Sequence, residues 1–147
     1  MTQQTLERQI QRLTDLSEIN DLITRFGRGL DLRDVEILET VFVSERFSRI
    51  AAACEANARF WQFSQHVITD RLVELQQDVA IVHANLIGSN VARREGEWSG
   101  DEFDVAGRAA YEVRARYEFR VVRTAEGWRI EDPNLTYLWS IGEAPKY

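Results

Sequence analysis

The chain has 147 residues, 44% hydrophobic and 29% charged, a balance that fits one globular domain and excludes a disordered or fibrous polypeptide. Against 24 acidic residues stand 18 basic ones, a formal net charge of -6 that disfavours nucleic acid and anionic membranes as partners, because phosphate binding starts from a basic face. The lone cysteine, Cys54, excludes a disulfide framework and a Cys-rich zinc site, and no apolar run approaches the ~20 residues of a membrane span. The start, MTQQTLERQIQR, lacks the apolar stretch of a signal peptide, so the expectation is a cytoplasmic single domain over 1–147.

The first third of the chain reads as helix. Leu6, Ile10, Leu13, Leu16, Ile19, Leu22, Ile23, Phe26 and Leu30 recur at three- and four-residue steps, one stripe of a helix or of two helices in line. Asp15 or Ser17 is placed to cap a fresh start. Residues 1–14 then form an amphipathic arm suited to packing on a partner subunit. Gly27 and Gly29 weaken the far end of the stripe. Asp34 reads as the N-cap of a second helix that carries Val35, Leu38, Val41 and Phe42. Ser44 caps a third through SERFSRIAAACEANARFWQ, with Phe47, Ile50, Cys54 and Ala58 on one side.

After Gln65 the residues turn β-branched and aromatic with partial alternation. The runs HVITDRLVEL, VAIVHANLIGSNVARR, FDVAGRAAYEVRARYEFRVVR and GWRIEDPNLTYLWSI are separated by turn-like QQD, REGEWSGDE and TAEG. Four strands joined as successive hairpins predict an antiparallel sheet with the helices on one face, an α+β fold. Gly107 and the Ala109–Ala110 pair predict a kink inside the long third strand, which lets the sheet curl into a cone with an apolar mouth.

Motif searches leave acid–base chemistry. The chain has no glycine-rich phosphate loop, no G-x-S-x-G elbow and no H-E-x-x-H helix, and its two histidines, His66 and His83, are too few for a three-histidine metal site. Cys54, in an alanine-rich helical run, reads as a small buried hydrophobe. His66 stands at the start of the first strand and can point into the cone as a general base. Asp31, where the first helix ends, can reach such an imidazole and stabilise its protonated form. The competing readings are a turn at LDLRD and a structural histidine.

Asp70 shares the face of His66 on an ideal strand, which puts it in the pocket, unless it bonds to loop backbone instead. His83, mid-strand among apolar neighbours, is a second pocket candidate against a plain core or outward-facing histidine. Trp61, Tyr111, Tyr117 and Tyr137 are candidate pocket walls or ordinary core aromatics. The alternating Arg114, Arg116, Glu118 and Arg120 read as a solvated face with cross-strand ion pairs.

Three segments in order, GLDLRD (29–34), SQHVITD (64–70) and ARYEFRVVRTAEGWRI (115–130), resemble the SnoaL-like domains of the superfamily of nuclear transport factor 2, scytalone dehydratase and hexachlorocyclohexane dehydrochlorinase. The resemblance covers roughly residues 15 to 140. It implies a cone-shaped α+β barrel, with three N-terminal helices on a strongly curved, mixed but mostly antiparallel sheet around one pocket, commonly as a homodimer. It also implies a catalytic pair at the positions of Asp31 and His66. Two departures stand out. Scytalone dehydratase has a second pocket histidine where Ser89 or Asn90 falls here. Only 34 residues lie between Asp31 and His66, so the usual third helix and short hairpin are compressed into one helical run.

The functional expectation is a small lyase, isomerase or cyclase that needs no cofactor or metal and acts on a hydrophobic cyclic metabolite. His66 is its base, Asp31 orients and charge-stabilises His66, and Tyr117 or Asn90 donates to the developing oxyanion. The alternatives are a non-catalytic binding or assembly domain with the same fold, and a small subunit resembling that of ring-hydroxylating dioxygenases.

Overall fold

The computed structural model describes residues 2–92 and 110–142. Helix α1 (Gln3–Leu32) is one unbroken element. Thr2 caps its start by accepting the Thr5 amide at 3.3 Å. The predicted break at Asp15 or Ser17 is absent. Asp15 is a buried acceptor for residues distant in sequence: Arg123 Nη2 donates to it at 2.8 Å and Trp128 Nε1 at 3.2 Å. The polar interruption that resembles a cap is therefore a tertiary anchor. N-terminal to it Leu6, Ile10 and Leu13 are exposed, while Ile19, Leu22, Ile23 and Phe26 are buried.

The helix ends in a Schellman motif. Arg33 takes the left-handed conformation at φ 54, its amide donates to Leu30 O at 3.2 Å, and the Asp34 amide donates to Gly29 O at 2.9 Å. As expected, Asp34 caps helix α2 (Val35–Glu39), accepting the Ile37 amide at 3.0 Å. Gly29 does not break α1; it makes room for α2, since a Cβ there would lie 2.7 Å from Leu38 Cδ2. Helix α3 (Ser44–Ala58) follows, and its cap residue is Val43, without a side-chain bond, rather than Ser44.

The sheet is a four-stranded antiparallel meander in sequence order: β1 (Trp61–Gln76), β2 (Val79–Ala92), β3 (Ala110–Thr124) and β4 (Gly127–Gly142). All four predicted strands are present, but β1 begins at Trp61 rather than His66, so Trp61 and Gln62 leave the predicted helix for the sheet. The α+β curved sheet agrees with expectation, whereas its closure as a barrel does not: β1 and β4 are both edges. Among the described residues the mixed character reduces to one parallel bridge, Phe42 to Ile130, where residues 41–43 lie along β4. The kink predicted at Gly107 and Ala109 lies outside the described residues. Within them, register shifts fall at Trp61/Phe63, Thr69/Leu72, Arg114/Ala115 and Arg120/Val121.

The helices cover one face of the sheet. Phe26 of α1 meets Phe42, Tyr117 and Phe119 edge-on, with ring centroids 5.8, 5.5 and 5.2 Å away. Val82, Val121, Ile130 and Trp128 complete the floor of this core. The other face leaves Val67, Ile87, Trp139 and Ile141 exposed. Among the described residues no helix is long and apolar enough to cross a membrane.

Candidate active site

The end of α1 lies against the start of β1. Gly27 permits the approach, because a Cβ there would be 3.3 Å from Ile68 Cδ1 and 3.7 Å from His66 O. One turn later Asp31 faces His66 and binds it twice. Its Oδ2 accepts the His66 backbone amide at 3.0 Å, and its Oδ1 lies 2.6 Å from His66 Nδ1. The first bond satisfies a donor on the free edge of β1; the second orients the ring. A carboxylate can only accept, so Nδ1 carries the proton and Nε2 remains as the ring's proton acceptor. Both side chains are about four-fifths removed from solvent, at 21% and 22% exposure.

His66 borders a cavity of ≈ 460 Å³ between the helices and the inner face of the sheet, within the range that holds a small organic ligand. Leu30, Leu86, Val113 and Leu135 give it apolar walls, and Trp61 and Tyr111 stack across one end with centroids 6.1 Å apart and planes 9° apart. Tyr117, Tyr137 and Asn90 also face it. Burial pushes the Tyr117 phenol well above its ordinary range, helped by Tyr137, so it stays a neutral O–H donor. Cys54 lines the same space as an inert thiol, raised by burial, with Arg33 pulling the other way. Gly88 pairs with His66 across the strands and places no side chain opposite the imidazole. Asp31 and His66 also border a groove of ≈ 630 Å³ between α1 and β1.

Seven of the nine residues singled out from the sequence thus gather here: Asp31, His66, Trp61, Asn90, Tyr111, Tyr117 and Tyr137. Asp70 and His83 do not. The bulge between Thr69 and Leu72 puts Asp70 at φ 53 and turns it to the outer face, where it accepts from Asn85 Nδ2 at 2.9 Å. Arg71 takes the inward place and donates to Asn20 O at 2.8 Å. His83 has the parity of the outer face, since Val82, Ala84 and Leu86 point inward, and its ring stands 3.8 Å from both Glu74 and Glu118.

The sequence reading missed Arg33, Asn57 and Ser64, which also line the cavity. Ser64 was detectable, two residues before His66 on one strand face; Arg33 and Asn57 stand at helix ends, where periodicity carries no signal. Among the described residues no group of three or more His, Cys, Asp or Glu is close enough to hold a metal ion.

Helices laid over a curved antiparallel sheet, with a cavity between the layers, define the nuclear transport factor 2-like architecture, which a Salmonella enterica protein of that superfamily shares. Within it, the sequence profile of the SnoaL-like domain matches residues 11–132, and the chain belongs to that family. Among solved structures, Kfla4162 of Kribbella flavida is 23% identical with a TM-score of 0.74, over 88% of this chain and 95% of that one. A scytalone dehydratase-like protein of Novosphingobium aromaticivorans is 14% identical with a TM-score of 0.72, over 92% and 91%. Hexachlorocyclohexane dehydrochlorinase LinA-type3 of Novosphingobium barchaimii is 15% identical with a TM-score of 0.72, over 95% and 97%. At these identities the likeness establishes the fold. No curated protein matches the sequence significantly.

Proposed function

We propose that this SnoaL-like domain is a small lyase, isomerase or cyclase that acts on a hydrophobic, cyclic, oxygenated metabolite by acid–base chemistry of His66 and Asp31. The observation that carries the reading is the 2.6 Å contact between Asp31 Oδ1 and His66 Nδ1 beside a cavity large enough for such a molecule. Trp61 and Tyr137 line that cavity rather than fill it, and Phe63 is exposed elsewhere, which favours an enzyme over a domain whose pocket is closed by its own side chains.

In the proposed reaction His66 Nε2 removes a proton from a carbon next to a carbonyl. The imidazolium so formed is stabilised by the Asp31 carboxylate at Nδ1. Negative charge grows on the carbonyl oxygen, where the neutral Tyr117 O–H and the Asn90 amide donate hydrogen bonds. The proton then leaves Nε2 for a departing hydroxyl, giving dehydration, or for another carbon, giving isomerisation. Every step uses side chains of this chain, and the reading asks for no metal or nucleotide.

The test is proton washout. A panel of cyclic aromatic ketones, such as 1-tetralone and its hydroxylated derivatives, is incubated with the protein in D2O and followed by proton NMR. Loss of the signal next to the carbonyl, faster than in buffer and abolished in folded His66→Ala, is expected. Washout in His66→Ala at the parent rate refutes the assignment of the base.

A further inference from the structure

The cavity floor carries two polar side chains beside His66 that the fold leaves unbonded. The His66 amide points away from β2, to Asp31, so His66 and Gly88 form a non-hydrogen-bonded pair across the strands. Ser64 and Asn90, the next pair on the same face, are of the same kind. In such pairs the Cα atoms approach to ~4.5 Å and the side chains stand close together. Both residues line the cavity and both are half-buried. Among the described residues neither the Ser64 hydroxyl nor the Asn90 amide makes a side-chain hydrogen bond. Partly desolvated polar groups that face a cavity without a protein partner take one from water or from a ligand.

We propose that Ser64 and Asn90 form an oxyanion-binding pair, with Ser64 a further catalytic residue of the proposed reaction and a cyclic ketone as the substrate class. A hydroxyl rotates to meet its acceptor and an amide carries two N–H donors, so one ligand oxygen between them receives a bond from each. The pair lies one pleat from His66, about 7 Å along β1. With the carbonyl oxygen held there, the neighbouring carbon falls over Gly88, which has no side chain, on the His66 side. Val113, opposite Gly88 on β3, and Leu86 continue an apolar bed for the ring. As the C–H bond breaks, its proton goes to His66 Nε2 and negative charge moves to the oxygen held by the pair. Neutral donors gain most at that moment, because a hydrogen bond strengthens when its acceptor becomes charged. The catalytic part of the inference rests on the proposed enolisation; the binding part is read without it.

Titration with 4-nitrophenolate, a stable ring oxyanion, and with 4-nitrotoluene, in which a methyl group replaces the oxygen, separates the two parts. Ser64→Ala is expected to weaken phenolate binding about tenfold, the scale of one hydrogen bond to a charged oxygen, and to leave nitrotoluene within about twofold. Ser64→Thr keeps the hydroxyl and should bind both ligands as the parent does. The same Ser64→Ala effect is expected in the His66→Ala background, so a failure of the proton-transfer reading leaves the binding pair standing. In the washout assay with 1-tetralone, Ser64→Ala should lower kcat by ~10–10² while KM stays within about threefold. Washout absent from the parent would refute the proposed function and leave the phenolate titration to decide on the pair. Phenolate affinity unchanged in Ser64→Ala, equal loss of both ligands, or binding of neither by the parent overturns the proposal.

Discussion

Asp31 holds His66 by backbone and ring together, with Oδ2 on the amide at 3.0 Å and Oδ1 facing Nδ1 at 2.6 Å. One carboxylate thereby locks the end of α1 to an edge strand and sets the tautomer of the imidazole. Asp31→Asn keeps the shape and removes the charge. It is expected to lower kcat by ~10²–10⁴, because an amide does not stabilise the imidazolium, while circular dichroism shows the same fold. Steady-state kinetics with any substrate found by proton washout checks this; an unchanged kcat contradicts it.

Tyr117 is assigned the oxyanion. Its ring packs edge-on to Phe26 and stacks on Phe119, so Tyr117→Phe preserves the core and deletes only the hydroxyl. Removal of one such donor should reduce kcat by roughly 10²-fold, with a smaller change in KM. A variant in which KM rises and kcat is retained would place the hydroxyl in substrate binding instead.

Gly88 leaves space across from His66, and a Cβ added there would meet its nearest neighbours, Leu86 and Val113, at 3.9 Å, an ordinary contact. Gly88→Ala should therefore fold with an unchanged or slightly higher Tm and a smaller cavity. Affinity for the bulkiest ligands should fall by roughly tenfold, while small ones bind as before. Parallel melting curves and titrations read both effects.

Asp15 supplies a pH dependence of stability. The Arg123 guanidinium above all, with Gln11 and Trp128, holds its carboxyl below the usual carboxylate range, against a smaller opposing effect of burial. A carboxyl whose value is lowered by folding stabilises fully above its unfolded value of ~3.9 and loses that contribution as pH falls through the depressed folded value. Asp15→Asn should cost about 2 kcal/mol at pH 7, the scale of a hydrogen bond to a charged group. The difference from the parent should shrink in acid, as denaturant melts at pH 7 and pH 3 would show.

Much of this molecule was legible in its sequence because its helices and strands keep clean periods. The stripe from Leu6 to Leu30 and the Asp34 cap appear where the pattern puts them, and within the described residues so do the four strand runs, apart from the earlier start of β1 at Trp61. The failures share a cause, tertiary partners that local pattern does not encode. Asp15 looks like a cap because its acceptors are filled by Arg123 and Trp128, more than a hundred residues later. Asp70 fails because one bulge reverses the parity that ties it to His66, and His83 fails because only the alternation around it, not its apolar setting, decides which face it takes. Arg33 went unnoticed because a left-handed helix end, rather than any motif, aims it at the cavity.

The account stands most directly on the rate at which the His66→Ala protein turns over a substrate of the parent. With the fold intact by circular dichroism and ligand affinity preserved, kcat should drop by ~10²–10⁴. Turnover equal to that of the parent would contradict the assignment of His66 as the base.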